Sequence, residues 1–427
     1  MENQNNDSNQ VIPFAVTNFR NTRKKFGIRP KDRRGHMYII GKTGTGKSTL
    51  LGNMIISDIK AGHGVALIDP HGDLAEEILD YIPDHRIEDV IYFNPADNEY
   101  PVPFNPLEQV HPDYHHLVAS GLISVLKKVW PEFWGPRLEH ILRHCILTLL
   151  EYPDSTLLDI PKLLTDKNFR EHVLTFLKHQ QVREFWLFEF EKYSAWHKAE
   201  ASSPILNKLG QFLTTKPLRN IVGHKKNTFR FRKVMDESKI FIANLSKGKI
   251  GEDNCALLGA MLVTQIQLAA LSRAGIPENK RQAFYLYVDE MHNFITLSFA
   301  DILSEARKYG LNLILSHQYI EQLDDEVRAA IFGNVGTMIS FRVGANDAKY
   351  LAREFSPVFA EADMVNLPNY NIYLKLLIDG MSSKPFSATT LPLPEKEKSN
   401  KSKVINASRD RYAIVGGKSG VHMVSIT

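Results

Sequence analysis

The sequence MYIIGKTGTGKSTL, at residues 37–50, determines the fold class. MYII is a short apolar strand, and residues 48–61 have the periodicity of a helix. Between them stand a glycine, four residues, and then glycine, lysine and serine, which is the spacing of a phosphate-binding loop. The glycines let the backbone N–H groups turn toward phosphate oxygens, and the positive end of the next helix supports the same site. The stretch therefore predicts a strand–loop–helix unit that holds phosphates.

Two side chains of this loop have predicted chemical roles. We expect Lys47 to reach the β- and γ-phosphates of a nucleotide, and the Ser48 hydroxyl to bind Mg²⁺. ATP is the predicted substrate and Mg²⁺ the predicted cofactor. The predicted nucleotide-binding residues of the loop are Gly41, Lys42, Thr43, Gly44, Thr45, Gly46, Lys47, Ser48 and Thr49.

Other apolar strands, most of them followed by helical stretches, occur on both sides of a long interruption. The interruption, from about residue 106 to 221, has only helical periodicity broken by prolines. Alternation of strands and helices predicts parallel βαβ units. The sequence thus predicts an α/β fold with a mostly parallel sheet, interrupted by an all-α insertion. The strands are VALID (65–69), VIYFN (90–94), KIFIANL (239–245), FYLYVDE (284–290), LNLILS (311–316), TMISFRV (337–343) and YNIYLKLL (370–377).

These patterns divide the chain into a core and three further segments. The polar start and the basic residues at 20–34 predict an N-terminal arm, and the charged end predicts a polar C-terminal tail. Aromatic residues are frequent in the interruption, where we expect them to form a core rather than a surface that stacks on bases. The predicted boundaries are 1–35 for the arm, 36–106 and 222–392 for the ATPase core, 107–221 for the helical insertion and 393–427 for the tail.

An acid pair ends the strand FYLYVDE. Burying carboxylates is costly unless a cation accompanies them, so this pair indicates a site rather than a structural feature. We expect Asp289 to serve in the outer coordination shell of Mg²⁺. We expect Glu290 to polarise the attacking water as a general base.

Three further candidate residues lie in or next to neighbouring strands. Gln318 comes after LNLILS, where it would sense the γ-phosphate by hydrogen bonding. Arg307 precedes that strand and is a candidate arginine finger, acting across a subunit boundary; a surface salt bridge is the alternative. For Arg342, in SFRVG, a contact with nucleotide or an interface and a structural role stay equally open.

Five motifs, taken together, resemble the HerA/FtsK branch of P-loop ATPases. GKTGTGKSTL, LIDPHGDL, YLYVDEMHNF, EARKYGLNLILSHQ and SFRVG follow one another over residues 36–392. They are most similar to the conjugative type IV secretion coupling proteins and their cytoplasmic relatives. The resemblance implies a RecA-like core, a homohexameric ring, ATP sites between subunits and DNA pumped through a central channel. It also implies roles for the P-loop pair Lys47 and Ser48, the acids Asp289 and Glu290, the trans-acting finger Arg307, the sensor Gln318 and the second arginine Arg342.

The net charge of the chain restricts where DNA could bind. The formal charge of the 427 residues is only +4, so a DNA site must be local. Its candidates are the basic residues at 20–34, the stretch HKKNTFRFRK (224–233), and Lys247 with Lys249, each with a structural alternative. The most apolar stretch, 256–272, contains polar residues and reads as a core helix rather than a membrane span.

We therefore expect a cytoplasmic protein. The resemblance to coupling proteins implies that partners, such as relaxase or secretion-channel proteins, recruit it to the inner membrane. Two other functions stay open at this point. One is a secretion-assembly ATPase that powers export of protein or pilus subunits without DNA. The other is a nucleotide-gated scaffold with little or no hydrolysis, which would not require a complete hydrolytic set.

Overall fold

An eleven-stranded sheet forms the centre of the protein, with the strand order β2-β1-β13-β10-β9-β3-β8-β7-β4-β6-β5. The computed structural model describes residues 11–18, 23–108, 110–396 and 398–414. Strands β11 and β12 form a separate hairpin. The strands are β1 (Ile12–Thr17), β2 (Lys25–Ile28), β3 (Met37–Ile40), β4 (Gly64–Asp69), β5 (Val90–Phe93), β6 (Ile240–Asn244), β7 (Phe284–Val288), β8 (Leu311–His317), β9 (Thr337–Ser340), β10 (Asn371–Lys375), β11 (Leu377–Ile378), β12 (Met381–Ser382) and β13 (Phe386–Thr390).

The sheet is parallel from β9 to β5 and antiparallel from β9 to β2. The parallel strands are buried along their whole length, because helices cover both faces. Successive residues of β3 enter opposite apolar clusters: Tyr38 and Ile40 lie on one face, Met37 and Ile39 on the other. The sequence-based prediction of an α/β fold with a mostly parallel sheet is confirmed.

Helices surround this sheet and make up the whole insertion. Between Pro112 and Asp236, every regular element of the described residues is helical. The helices are α1 (Pro30–Arg33), α2 (Lys47–Lys60), α3 (Asp73–Ile78), α4 (His115–Val129), α5 (Pro136–Glu151), α6 (Asp159–Thr165), α7 (Lys167–Leu174), α8 (Gln180–Glu184), α9 (Ala195–Thr214), α10 (Lys216–Val222), α11 (Phe231–Asp236), α12 (Lys247–Ile250), α13 (Glu252–Leu271), α14 (Leu297–Glu305), α15 (Asp325–Asn334), α16 (Ala345–Phe355), α17 (Glu361–Val365) and α18 (Lys401–Tyr412).

The aromatic residues of the insertion are divided between core and surface. Trp186 is fully buried, and its indole N–H donates to Thr148 Oγ1 at 2.8 Å. Phe185 and Phe190 are buried beside it. The expectation of an aromatic core is therefore met at these positions. Four other aromatic side chains of the insertion are exposed, namely Phe133, Phe176, Phe188 and Trp196.

The helix predicted at 256–272 lies inside the protein. Among the described residues, the span Glu252–Gly275 alone is long and apolar enough to cross a membrane, with a mean hydropathy of 1.7. Its N-terminal twenty residues form α13, which packs against α4 and α11. Because 61% of the most apolar part of this span is buried, the helix has the surroundings of a core helix.

The N-terminal segment is not an arm where the structure describes it. Strand β1 pairs with β13, and β2 pairs with β1, so both belong to the main sheet. Phe14 is fully buried on this edge, which explains why the segment adheres to the core. Arg33, one of the basic residues that predicted a DNA contact, is fully buried and pairs with Asp58. Residues 1–10 and Arg20 lie outside the described residues.

The C-terminal segment is also ordered against the core, contrary to the predicted polar tail. Helix α18 covers the edge strand β5, where Ser408 Oγ accepts the backbone N–H of Tyr92 at 2.8 Å. The cations of this segment pair with acids of the core, as in Lys401–Glu76 and Arg409–Asp97. The motif GGKSG at 416–420, which does not have the spacing of a second phosphate-binding loop, lies outside the described residues.

Candidate nucleotide-binding site

The predicted loop lies at the carboxyl edge of the parallel sheet, between β3 and α2. Both neighbours of β3, the strands β8 and β9, come from much later in the chain, and ligands of α/β proteins bind at such a switch point. Gly44 and Gly46 have φ angles of 75° and 114°, which glycine adopts without strain. A Cβ at Gly41 would lie 2.5 Å from Phe341 Cβ, so only glycine fits there. These constraints explain the glycines of the motif.

Lys47 occupies the interior of this loop. Its Nζ donates to the carbonyl oxygens of Gly41 at 2.6 Å and of Lys42 at 3.3 Å, and the residue is 6% exposed. Burial lowers the pKa of Lys47, while the charges of Glu290 and Asp289 act in the opposite direction. The ammonium is therefore a desolvated cation held where the phosphates would lie.

The other loop residues are fixed by neighbouring segments or are exposed. Thr45 Oγ1 donates to Lys42 O at 2.7 Å, and Lys42 N–H donates to the carbonyl of Arg342 at 2.9 Å. Helix α2 begins at Lys47, one residue before the predicted start, and no side chain caps its first turn. The Ser48 hydroxyl is on the exposed side of this turn, where a phosphate-bound cation could reach it.

The predicted acid pair is buried next to the loop. Asp289 directly follows β7 and is 5% exposed; its N–H donates to Ile68 O of the neighbouring strand. Burial, followed by the negative charge of Glu290, raises the pKa of Asp289, and the charge of Lys47 opposes this. Two adjacent buried carboxyl groups near one lysine are short of positive charge, which is the condition that a divalent cation relieves. The donor set of Ser48 and Asp289 thus fits Mg²⁺.

Glu290 combines a strained backbone with a carboxylate that is only half satisfied. It is 4% exposed, and its φ of 45° lies in the left-handed region, which is uncommon outside glycine. Its Oε1 accepts a hydrogen bond from Gln318, whereas its Oε2 accepts none from a described residue. Oε2 lies 3.6 Å from Nδ1 of His292, whose burial lowers its pKa to about 4. This histidine is therefore neutral near pH 7.

Gln318 connects the acid to the loop. It follows β8 directly, so it emerges at the same edge as the loop. Its Nε2 donates to Glu290 Oε1, and its Oε1 accepts from Thr43 Oγ1 at 3.0 Å. The structure thus brings Lys47, Asp289, Glu290 and Gln318 together at one edge of the sheet.

Arg307 is not part of this group. It is exposed and lies before β8, at the amino edge of the sheet. Its charge acts on His36, which precedes β3 and whose pKa falls to about 4 mainly because it is buried. Strand β8 has seven residues, so the two edges are about 23 Å apart at about 3.3 Å per residue. Arg307 therefore cannot reach the loop of its own chain.

Arg342 does lie beside the loop. It follows β9, and besides its backbone contact with Lys42 its guanidinium donates to Asn369 Oδ1 at 2.9 Å. The site also contains residues for which the sequence predicts no role. Asp69 ends β4, and its carboxylate accepts the backbone N–H groups of His71 at 2.8 Å and Ala75 at 2.9 Å. An acid at the end of VALID, as in FYLYVDE, was the signal that could have identified it.

The candidate DNA contacts at 224–233 are partly structural. Phe229 and Phe231 are buried and pack on Phe241, with ring centroids 5.4 and 4.9 Å apart. These aromatic side chains are therefore core residues and do not form a base-stacking surface. Lys249 lies 3.4 Å from Glu76, and Lys247 is exposed at the carboxyl edge.

Comparisons with known proteins give the family and the fold of this chain. Residues 24–367 match the family described as type IV secretion-system coupling protein DNA-binding domain. No curated protein matches the chain. The fold is similar to those of several solved structures, which confirms the RecA-like core predicted from the sequence.

Three of these structures illustrate the similarity. The bacterial conjugative coupling protein TrwBdeltaN70 has 16% identity and a TM-score of 0.65, over 92% of this chain and 91% of that one. TrwB in complex with ADP and Mg²⁺ has 17% identity and a TM-score of 0.63, over 88% and 89%. VirB4 of Thermoanaerobacter pseudethanolicus has 14% identity and a TM-score of 0.59, over 90% and 97%.

Proposed function

Because the chain belongs to the family of type IV secretion-system coupling protein DNA-binding domains, we propose that it is an ATP-driven DNA translocase. It hydrolyses ATP between the subunits of a homohexamer. The observation that carries this proposal is the separation of the candidate catalytic residues. Lys47, Asp289, Glu290 and Gln318 lie at the carboxyl edge of the sheet, whereas Arg307 lies at the amino edge. In a ring, each chain would contribute its loop, acids and Gln318 to one site and its Arg307 to the site of a neighbouring subunit.

Within one site, the residues of this chain divide the work of hydrolysis. Lys47, desolvated in the loop, balances the charge of the β- and γ-phosphates. Glu290 accepts the proton of the attacking water through Oε2, which accepts no hydrogen bond from a residue that the structure describes. Ser48 and Asp289 would hold Mg²⁺, which would supply positive charge beside the phosphate oxygens. TrwB, whose fold is similar, is described in complexes with ADP and Mg²⁺ and with non-hydrolysable GTP and ATP analogues, which supports nucleotide binding here.

Gln318 reports the state of the nucleotide to the general base. It contacts Thr43 of the loop and Glu290 at the same time. Loss of the γ-phosphate would change the position of the loop, and Gln318 would transmit this change to the acid. Arg307 of a neighbouring subunit completes the site by stabilising charge in the transition state, a contribution of about 10³- to 10⁵-fold in rate.

DNA is the proposed cargo, and further copies of the chain are its first partners. The description of the family includes DNA binding, and Lys247 gives the carboxyl edge an exposed cation. We place the protein in the cytoplasm, recruited to the inner membrane by relaxase or secretion-channel proteins. A motor that exports protein without DNA is the second candidate, and the burial of Phe229 and Phe231 favours it, since no aromatic stacking surface forms there.

The rate of ATP hydrolysis, measured with and without single- and double-stranded DNA, tests the proposal. DNA should raise the rate of the purified chain in the presence of Mg²⁺. A high rate that DNA leaves unchanged would favour the protein-export motor. The absence of hydrolysis under all three conditions would contradict both functions and leave the nucleotide-gated scaffold.

A further inference from the structure

A half-exposed tyrosine ring lies against the phosphate-binding loop. Tyr370 is 51% exposed, yet a Cβ built on Gly46 would be only 2.8 Å from its Cδ1 and 3.3 Å from its Cε1. One part of the ring therefore touches the loop next to Lys47, and the rest is open to solvent. The sequence pattern predicts that Tyr370 begins a strand, and it predicts no functional role for this residue.

The backbone holds this ring in an unusual position. Tyr370 has a φ of 64°, a left-handed conformation that is rare for a bulky side chain. Hydrogen bonds keep it there: its N–H donates to Thr45 O at 2.8 Å, and its carbonyl accepts from the backbone N–H and the hydroxyl of Thr390. Strained residues that the surroundings fix in this way are concentrated at ligand-binding sites.

The surroundings of the Tyr370 ring are those of a nucleotide-binding site rather than those of a protein core. Its inner side is next to the loop, where Phe341 also comes within 3.3 Å of the Cβ built on Gly46. The neighbouring Asn369 orients the guanidinium of Arg342. The ring therefore lies directly next to the place where the triphosphate would bind, and the residue before it in the chain contacts Arg342. A nucleotide with its phosphates in the loop must put its sugar and base next to the loop.

We propose that the ring of Tyr370 stacks on the base of the bound nucleotide. This inference rests on the proposed nucleotide site and adds a residue that recognises the part of ATP outside the phosphates. Every base has a flat π-face, so such a platform binds bases without selecting one by hydrogen bonds. Tyr370 is thus a binding residue that distinguishes a nucleotide from a bare polyphosphate.

The test compares the affinities for Mg·ATP and for Mg·tripolyphosphate, which has the phosphates but no base. Calorimetry would be done on the full chain and on the variants Tyr370→Ala and Tyr370→Phe. Removing a base-stacking ring weakens binding by about 5- to 140-fold. We expect Tyr370→Ala to lose affinity for ATP within this range and to bind tripolyphosphate as the wild type does. Tyr370→Phe, which keeps the ring, should bind both like the wild type.

Two results with Tyr370→Ala would overturn the inference. One is that Tyr370→Ala binds ATP as tightly as the wild type. The other is that it loses affinity for ATP and tripolyphosphate equally, which would mean that the ring only supports the loop. The affinities of the wild-type protein for the two compounds distinguish a wrong inference about Tyr370 from a wrong proposed function. Wild-type protein that binds neither compound contradicts the nucleotide site itself, whereas equal affinity for both contradicts base stacking alone.

Discussion

Replacing Arg33 by alanine should destabilise the protein strongly, although its sequence position suggested a surface contact with DNA. Arg33 and Asp58 are both fully buried, and the guanidinium donates to both carboxylate oxygens, at 2.6 and 2.9 Å. The guanidinium also lies 3.9 Å from the centre of the Tyr285 ring. Its removal leaves a buried carboxylate without its cation, a change that costs about 3–5 kcal/mol. His63 still bonds Asp58 at 3.0 Å, so we expect a loss of about 3 kcal/mol, the lower end of this range.

Denaturation by urea, followed by circular dichroism, would measure this loss. The matched control is Arg34→Ala, since Arg34 is the next residue and is exposed; its effect should stay within about 0.5 kcal/mol. The double variant Arg33→Ala with Asp58→Ala should lose less than the sum of the single variants, because the pair is coupled. Equal unfolding midpoints for Arg33→Ala and Arg34→Ala would refute the reasoning.

The same pair predicts how stability depends on pH. Burial alone would raise the pKa of Asp58, but the charge of Arg33 and the hydrogen bond from His63 bring it below its ordinary value. A carboxyl group with a lower pKa in the folded state stabilises the protein above its unfolded pKa of about 3.9. This stabilisation is lost as the pH falls below about 4 toward the lower, folded pKa. Arg33→Ala should show a smaller loss of stability over that acid range.

Three further predictions concern the loop, the subunit interface and the edge of the sheet. Mixing Arg307→Ala with Lys47→Ala subunits should restore part of the ATPase activity that each variant lacks alone, because a mixed interface can combine an intact loop with an intact Arg307. If no mixing ratio restored activity, Arg307 would not act as an arginine finger on the neighbouring subunit. Gly46→Ala should weaken Mg·ATP binding at least about tenfold, because the new Cβ would lie 2.8 Å from the Tyr370 ring and the backbone φ is 114°. The control Gly44→Ala should have the smaller effect, since a Cβ at Gly44 would have no atom within 4 Å. Calorimetry that ranks the two variants in the reverse order would contradict this prediction. Ser408→Ala should cost about 1–3 kcal/mol in thermal or urea unfolding, because it leaves a buried N–H of β5 without an acceptor; an unchanged midpoint would mean that α18 does not cover that edge.

Much of the candidate site could be predicted because its signals are local in sequence. The loop, its strand and its helix occupy consecutive residues, so the spacing of Gly41, Gly46, Lys47 and Ser48 contains the geometry. The acids Asp289 and Glu290 and the predicted sensor Gln318 follow strands that end at the same edge of a parallel sheet. Once the strands are recognised, the positions of these side chains follow from the topology. Their catalytic roles remain predictions until they are measured.

The elements that the sequence did not predict depend on partners far away in the chain. Strand β1 pairs with β13, so Ala15 lies opposite Thr390, and nothing near β1 indicates that partner. Helix α18 is polar and attaches through ion pairs such as Arg409–Asp97, so it looks like a solvated tail in sequence. Tyr370 reaches the loop through a left-handed backbone, which no local pattern predicts for tyrosine.

The central claim is that Glu290 activates the water that attacks a triphosphate held at Lys47. The most direct measurement is the turnover of Mg·ATP by Glu290→Gln, compared with the wild type, together with its affinity for Mg·ATP. Glutamine keeps the size of the side chain but cannot accept the proton. We expect an unchanged affinity and a loss of turnover of about 10²- to 10⁴-fold. Turnover of Glu290→Gln at the wild-type rate would contradict the claim.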